Sequence, residues 1–414
     1  MSLLPSSSWL QRHQKGLFLT ASGLSTTGSF AGLTAKSWLL LHQSHNPVLL
    51  ALHFGALALP TLLFSAHAGV ITDRRGCEAV LIQAQWGLFG GALVGALAIP
   101  LLHPWPSLVA ATLLLSTLLV GVASSYELTA RNKYCALLVE QPEALAPYLA
   151  SFSVVFNVGK LAGPPLGGLL VAWQGPAGAL VIDCASYLLP VASVVWLLQP
   201  DRSRDQRSGT GERASMRSAW AQAGPSLRHV LRFSALASLV GFFHPGLAAL
   251  IAQRILGPTA QDLGMFTSVL AAGSIAGGLV LRRYSQRLSR RPVLLLGSCL
   301  LITAWAQLGM AFNSQQGVNL AMTFLIGAGT AGLLAGSNLI LQVGSPMALR
   351  GRMAGMGQIA SLGGGGLSGL IAALLCLQLG LRGTFAVMGL AGLVLAMQEL
   401  LMNRGLRIRS DSHP

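Results

Sequence analysis

Polar and apolar positions in this chain separate into long blocks and do not alternate at the short periods of a soluble fold. From Ala79 to Tyr126 there is no Lys, Arg, Asp or Glu across 48 residues, and from Pro292 to Leu349 there is none across 58. A membrane-crossing helix takes about 20 consecutive apolar residues, so each block holds two crossings and a turn. Pro100, His103, Pro104 and Pro106 divide the first block, and the stretch from Asn313 to Gly317 divides the second. Read in the same way, the chain predicts spans near 17–41, 47–71, 79–101, 107–129, 147–173 and 176–199, then 230–252, 262–281, 292–312, 317–343, 354–379 and 383–402. A membrane β-barrel would instead show alternating segments of roughly ten residues. The first span is too long for the core of a secretory signal and lacks a short charged start followed by a cleavage site.

Composition and charge sharpen this picture. The chain is 53% hydrophobic and 9% charged, against about 25% charged residues in ordinary soluble domains. If the N-terminus is cytoplasmic, the inside segments hold 23 of the 27 Lys and Arg. They are Arg12 and Lys15, Arg74 and Arg75, Arg131 and Lys133, seven Arg between 202 and 232, five between 282 and 291, Arg350 and Arg352, and Arg404, Arg407 and Arg409. Arg254 and Arg382 fall outside, and Lys36 and Lys160 fall inside helices. This is the asymmetry of the positive-inside rule, and it predicts both termini on the cytoplasmic side of the cell membrane. The net charge of +15 therefore reads as topology. Its dispersal over many short loops argues against a nucleic-acid surface, which would gather the basic residues on one face.

The run from Pro200 to Gly224 is the one long polar stretch and divides the spans six and six. It predicts an N-terminal bundle over 1–199, a cytoplasmic linker over 200–228 and a C-terminal bundle over 229–414. The halves echo each other as parallel repeats do. Gly278 precedes Arg282-Arg283 at the spacing by which Gly69 precedes Asp73-Arg74, and the Gly-rich fifth span has a counterpart from Gly363 to Gly369. Cys77, Cys135, Cys184, Cys299 and Cys376 are scattered singly, with no spacing that suggests zinc or a disulfide framework.

Gly69-x-x-x-Asp73-Arg74-x-Gly76 resembles the signature between the second and third helices of the major facilitator superfamily, and the resemblance extends over essentially the whole chain. It implies an all-α integral membrane fold of twelve helices in two six-helix bundles. Where the family usually has further basic residues, this chain has Cys77 and Glu78. In the family the Asp and Arg contact neighbouring helix ends and hold the inward side closed; a charged turn that only fixes topology is the plainer alternative. The fifth span reads Gly159-x-x-x-Gly163-Pro164-x-x-Gly167-Gly168, similar to the motif of proton-driven antiporters in that superfamily. By chemistry alone the same residues make a close-packing helix face, with Pro164 and Pro165 removing backbone donors and bending it. Thr129-Ala130-Arg131, Asp183-Cys184-Ala185-Ser186-Tyr187 and Leu349-Arg350-Gly351-Arg352-Met353 resemble the enterobactin-exporter-like and macrolide-efflux-like branch. That resemblance implies a proton-coupled antiporter exporting a drug or siderophore-like molecule, with import or sensing on the same fold as the alternatives.

Ionisable residues within spans are functional candidates because each is costly in lipid unless paired or hydrated. Depth along the helices places Lys160 and Asp183 near the same level of the bilayer and predicts an ion pair or relay between them. Lys36, in the outer third of the first span, either sets a preference for acidic substrates or snorkels to the outer interface. Glu127 either accepts protons or pairs with Arg131 one turn on. His53 and His67 share a helix face but are about 21 Å apart along the axis, too far to share a metal. His244-Pro245 predicts a kink in the seventh span. Gly327-x-Gly329-x-x-Gly332 fits a dinucleotide fingerprint in letters only, since it lies inside an apolar helix and not after a strand. No phosphate-binding loop, metalloprotease motif or nucleophile with its base occurs, which argues against ATP hydrolysis and enzymatic chemistry. The expected partners are a small-molecule substrate, protons and the bilayer, with no cofactor, no metal and a monomeric chain.

Overall fold

The computed structural model describes residues 7–44, 46–139, 145–198, 220–288, 291–345 and 350–402. Among these residues the regular structure is helical: α1 (Ser7–Ser44), α2 (Pro47–Arg75), α3 (Cys77–Leu102), α4 (Pro106–Leu138), α5 (Leu145–Ser186) and α6 (Leu188–Ala192), which runs into a π-helical turn (Ser193–Leu197). Then follow α7 (Pro225–Gly241), α8 (Ala248–Ile255), α9 (Ala260–Leu288), α10 (Pro292–Phe312), α11 (Gln316–Val343) and α12 (Arg350–Met402). Proline opens α4, α7 and α10, where its missing N–H is an orphan in any case and its fixed φ suits the first turn.

Eight of these helices are long and apolar enough by themselves to cross a membrane. Two are double. Gly175, at φ 74°, breaks α5 between the fifth and sixth spans, and Gly380, at φ 69°, breaks α12 between the eleventh and twelfth. Glycine populates that left-handed region without a Cβ penalty, so each tight turn needs one residue and no loop. The first span, α1, is diluted by serines and threonines, and the seventh is split between α7 and α8; with these the twelve expected spans are all present among the described residues. The chain stays helical through Pro164 and Pro165, and the non-helical position of α5 is Gly175. The break at His244-Pro245 is larger than a kink, because helix stops at Gly241 and resumes at Ala248.

The described residues form two compact units, one drawn from 1–45 and 56–211, the other from 46–55 and 212–414. In the first, the first span packs on the fifth and the third on the fourth and sixth. In the second, the seventh packs on the eleventh and the ninth on the tenth and twelfth. The pairings recur at an offset of six spans, as an internal repeat requires. Large apolar side chains such as Leu63, Leu101, Trp173, Leu279 and Phe312 stand exposed along the helices, a surface suited to lipid and not to water. The expected linker between residues 199 and 219, Leu349 of the Arg350 motif and the terminal arginines beyond Met402 lie outside the described residues.

Candidate transport site

The first unit is organised by α1, which lies between the two legs of α5 and offers a different face to each. One face carries Thr26, Thr27, Phe30, Ala31 and Thr34. Against it sit Gly159, Gly163 and Gly167, one helical turn apart. A Cβ at Gly163 would stand 2.7 Å from the Thr27 carbonyl, and one at Gly167 would stand 2.5 Å from the Ala31 carbonyl. The motif is therefore a seam of backbone-to-backbone packing, the reason small residues recur at this spacing. Gly168 is buried beside it and Pro164 half-buried.

The other face carries Gly28, Gly32 and Lys36, again spaced by four. Here the missing side chains of Gly28 and Gly32 make room for Ser186 and Asp183. Lys36 follows one turn beyond Gly32 on the same stripe of α1, which makes it a neighbour of Asp183 at longer range than a direct ion pair. Lys36 and Asp183 are 2% and 3% exposed. Lys36 Nζ donates to Ser116 Oγ of α4 at 2.9 Å, and Ser116 donates its own proton to the Gly91 carbonyl at 2.7 Å. On the acid side, the Tyr187 hydroxyl lies beside Asp183 and accepts a hydrogen bond from Ser29 at 2.8 Å. One carboxylate oxygen, Asp183 Oδ1, is buried with no hydrogen-bond partner.

This arrangement corrects one expectation and closes one alternative. Asp183 faces Lys36, and no acid stands against Lys160 among the described residues. Matching depth along two helices fixed the level of each charge but not its azimuth, and the Gly28-Gly32 stripe turns Asp183 toward α1. Lys36 does not snorkel, because its head is buried inside the bundle and donates to Ser116. Nearer the inner end, Arg131 Nη1 donates to Glu127 Oε1 at 3.0 Å, Gln85 approaches the same oxygen at 3.5 Å, and the Arg131 guanidinium lies 5.4 Å from the Phe152 ring centroid.

At the turn between α2 and α3, Gly76 has φ 88° and its N–H bonds the Thr72 carbonyl at 3.2 Å. The motif's second glycine is thus required by backbone geometry. Asp73 reaches across to Lys133 of α4, with 3.0 Å between Oδ1 and Nζ. Arg74 is exposed, and Gly69 has open space about it. Lys133 carries no motif signal and was visible in sequence only as one more inside lysine. His67 meets the Tyr126 hydroxyl at 2.7 Å.

The second unit holds a contact that sequence reasoning missed. Glu399, buried near the end of α12, receives His229 Nε2 of α7 at 2.9 and 3.0 Å to its two oxygens. An acid within the last apolar span was the available signal. His244, in the break between α7 and α8, is buried with Nδ1 3.2 Å from the Gly241 carbonyl. The dinucleotide-like glycines pack instead: Gly327 on the Leu270 carbonyl, Gly329 and Gly332 on Cys299. Among the described residues no three His, Cys, Asp or Glu side chains gather to hold a metal ion.

Residues 9–412 match the family described as transmembrane secretion effector. The chain is 25% identical to the multidrug efflux pump Tap of Mycolicibacterium fortuitum, covering 94% of this chain and 96% of the relative. It is 22% identical to the staphyloferrin A transporter of Staphylococcus aureus, covering 95% and 97%. Among solved structures, the nucleoside transporter NupG aligns with a TM-score of 0.70 at 13% identity, covering 94% of this chain and 99% of that one. A bacterial homologue of the human lysosomal transporter Spinster aligns at 0.69 and 15%, covering 95% and 98%. The chain is a multi-pass membrane transporter and belongs to the transmembrane secretion effector family of the major facilitator superfamily.

Proposed function

We propose that this transporter is a monomeric proton-coupled antiporter that exports a small amphipathic molecule, of the drug or siderophore-like kind, with both termini in the cytoplasm. The observation that carries the reading is that Lys36 and Asp183 are buried as neighbours along one stripe of α1, set in a family whose named relatives include a multidrug efflux pump and a staphyloferrin A transporter. Two charges withdrawn from water are tolerable while they neutralise each other, and removing one partner leaves an expensive orphan. Protonation of Asp183 abolishes the attraction while Ser116 still holds Lys36. The contact between α1 and the second leg of α5 then has two states, one charged and one neutral. A transporter needs such an element, because proton and cargo must each favour one access state over the other. Asp73 with Arg74 and Lys133 forms a latch on the inner side that stabilises the inward-closed form.

The test is transport in everted membrane vesicles with an imposed pH gradient. An acidic interior should drive dye or drug accumulation, and Asp183→Asn should remove the gradient-driven component while energy-independent exchange continues. Accumulation driven by an alkaline interior would mean proton symport, and accumulation indifferent to pH would remove the proton from the mechanism.

A further inference from the structure

Among the described residues, Lys160 is an ionisable residue of the first unit's spans that the pairing network leaves over. Glu127 and Arg131 pair with each other, Asp183 neighbours Lys36, and no acid stands against Lys160 among the described residues. Its direction is fixed by its helix. At 100° per residue, Val158 and Leu169 lie about 160° and 180° round the helix from Lys160, and these are 55% and 59% exposed on the lipid-suited surface. Gly167 lies within about 20° of Lys160 and Gly163 within about 60°, and both glycines are packed on α1. Lys160 is half-buried and stands on the protein side of the fifth span.

One turn before Lys160, within about 40° on the same face, Phe156 is partly open to the surroundings at 42% exposure. Its ring meets Phe30 of α1 edge-on, with centroids 5.8 Å apart. Gly163 permits that approach, since a Cβ there would stand 2.5 Å from Phe30 Cβ. An ammonium without a counter-ion and an accessible aromatic pair therefore share one stripe of α5.

We infer that this stripe is a cargo subsite for amphipathic anions, in which Lys160 pairs with a carboxylate and the Phe156 and Phe30 rings take the adjoining planar or apolar body. A cation kept unpaired in a span is costly, and a negatively charged cargo supplies the missing partner without using the acid reserved for Lys36. The inference rests on the reading of this chain as an exporter of amphipathic molecules and names the class it accepts.

The experiment compares a carboxy-rhodamine with its methyl ester, which differ in one negative charge. Binding to the purified full-length protein is read by fluorescence polarisation, and exchange is read in proteoliposomes with no pH gradient, so failure of proton coupling does not affect either readout. The wild type should bind the acid about tenfold more tightly than the ester. Lys160→Gln should erase that ratio with ester binding unchanged, Lys160→Arg should keep most of it, and Phe156→Ala should weaken both dyes together. The inference is overturned if the wild type shows no preference for the acid, if Lys160→Gln keeps the preference, or if Lys160→Gln weakens both dyes equally.

Discussion

Lys36 Nζ on the first span lies 2.9 Å from Ser116 Oγ on the fourth, so a single buried ammonium joins α1 to α4 while facing Asp183 on the sixth span. Ser116 is the acceptor here because its own proton is committed to the Gly91 carbonyl. Ser116→Ala should therefore leave a buried donor short of a partner and cost about 1–3 kcal/mol, read as a lower melting temperature in detergent. Ser116→Thr, which keeps the hydroxyl, should recover most of it.

The Asp73 and Lys133 side chains are 53% and 28% exposed, and a screened pair of that kind contributes less than about 1 kcal/mol to stability. Asp73→Asn and Lys133→Gln should accordingly melt close to the wild type. Their effect is expected on turnover, as a several-fold fall in transport rate at unchanged cargo binding. A charge swap, Asp73→Lys with Lys133→Asp, should restore part of the rate if the pair itself is the latch, and a rate as low as that of the single variants would count against it.

Two glycines of the same motif should behave differently. Gly76 sits at φ 88° and ψ 143°, an essentially glycine-only conformation in which an L-residue is strained by about 1–3 kcal/mol, so Gly76→Ala should destabilise the protein. Gly69 is helical, and a methyl group added to it would meet nothing within 4 Å, so Gly69→Ala should leave the melting temperature unchanged or slightly raised.

The fifth-span seam predicts a graded series. Gly167→Ala would bring a methyl to 2.5 Å from the Ala31 carbonyl, and overpacking of this kind costs about 1–3 kcal/mol. Because backbone stands on the other side, no side-chain rotation relieves it. A Gly167→Ala protein with wild-type stability and transport would show that α1 and α5 have slack there.

In the second unit, Glu399→Gln should lower stability by about 1–3 kcal/mol, since the amide keeps only one of the two oxygens that His229 Nε2 approaches. Glu399→Gln with His229→Gln should lose less than the sum of the single changes, a coupling that a double-mutant cycle reads directly.

Most of the fold was legible because lipid imposes a simple rule: a span is a long run without charge. The twelve spans and the recurrence of the halves followed from that. The hinge glycines, Gly175 and Gly380, were harder to see, since a left-handed turn of one residue leaves no polar gap between spans. The site was legible in part. Gly159, Gly163 and Gly167 announced a close seam, though not that α1 was its partner. The pairing of Asp183 was misread because depth along an axis carries no azimuth. The spacing Gly28, Gly32, Lys36 held the missing information, as it marks the stripe of α1 on which an approaching carboxylate finds room and then a cation. Glu399 was passed over because it lies close to the predicted inner end of its span, where an acid is ordinarily solvated.

The most direct test of the account measures both fluxes at once in proteoliposomes, cargo by its fluorescence and internal pH by a trapped dye, with a cargo gradient as the sole driving force. Outward cargo flow through the wild type should draw protons inward and acidify the lumen, and Asp183→Asn should pass cargo down its gradient with the lumenal pH unchanged. Cargo flow that leaves the lumenal pH constant in the wild type, or acidification that persists undiminished in Asp183→Asn, would contradict the central claim that the Lys36 and Asp183 contact couples proton to cargo.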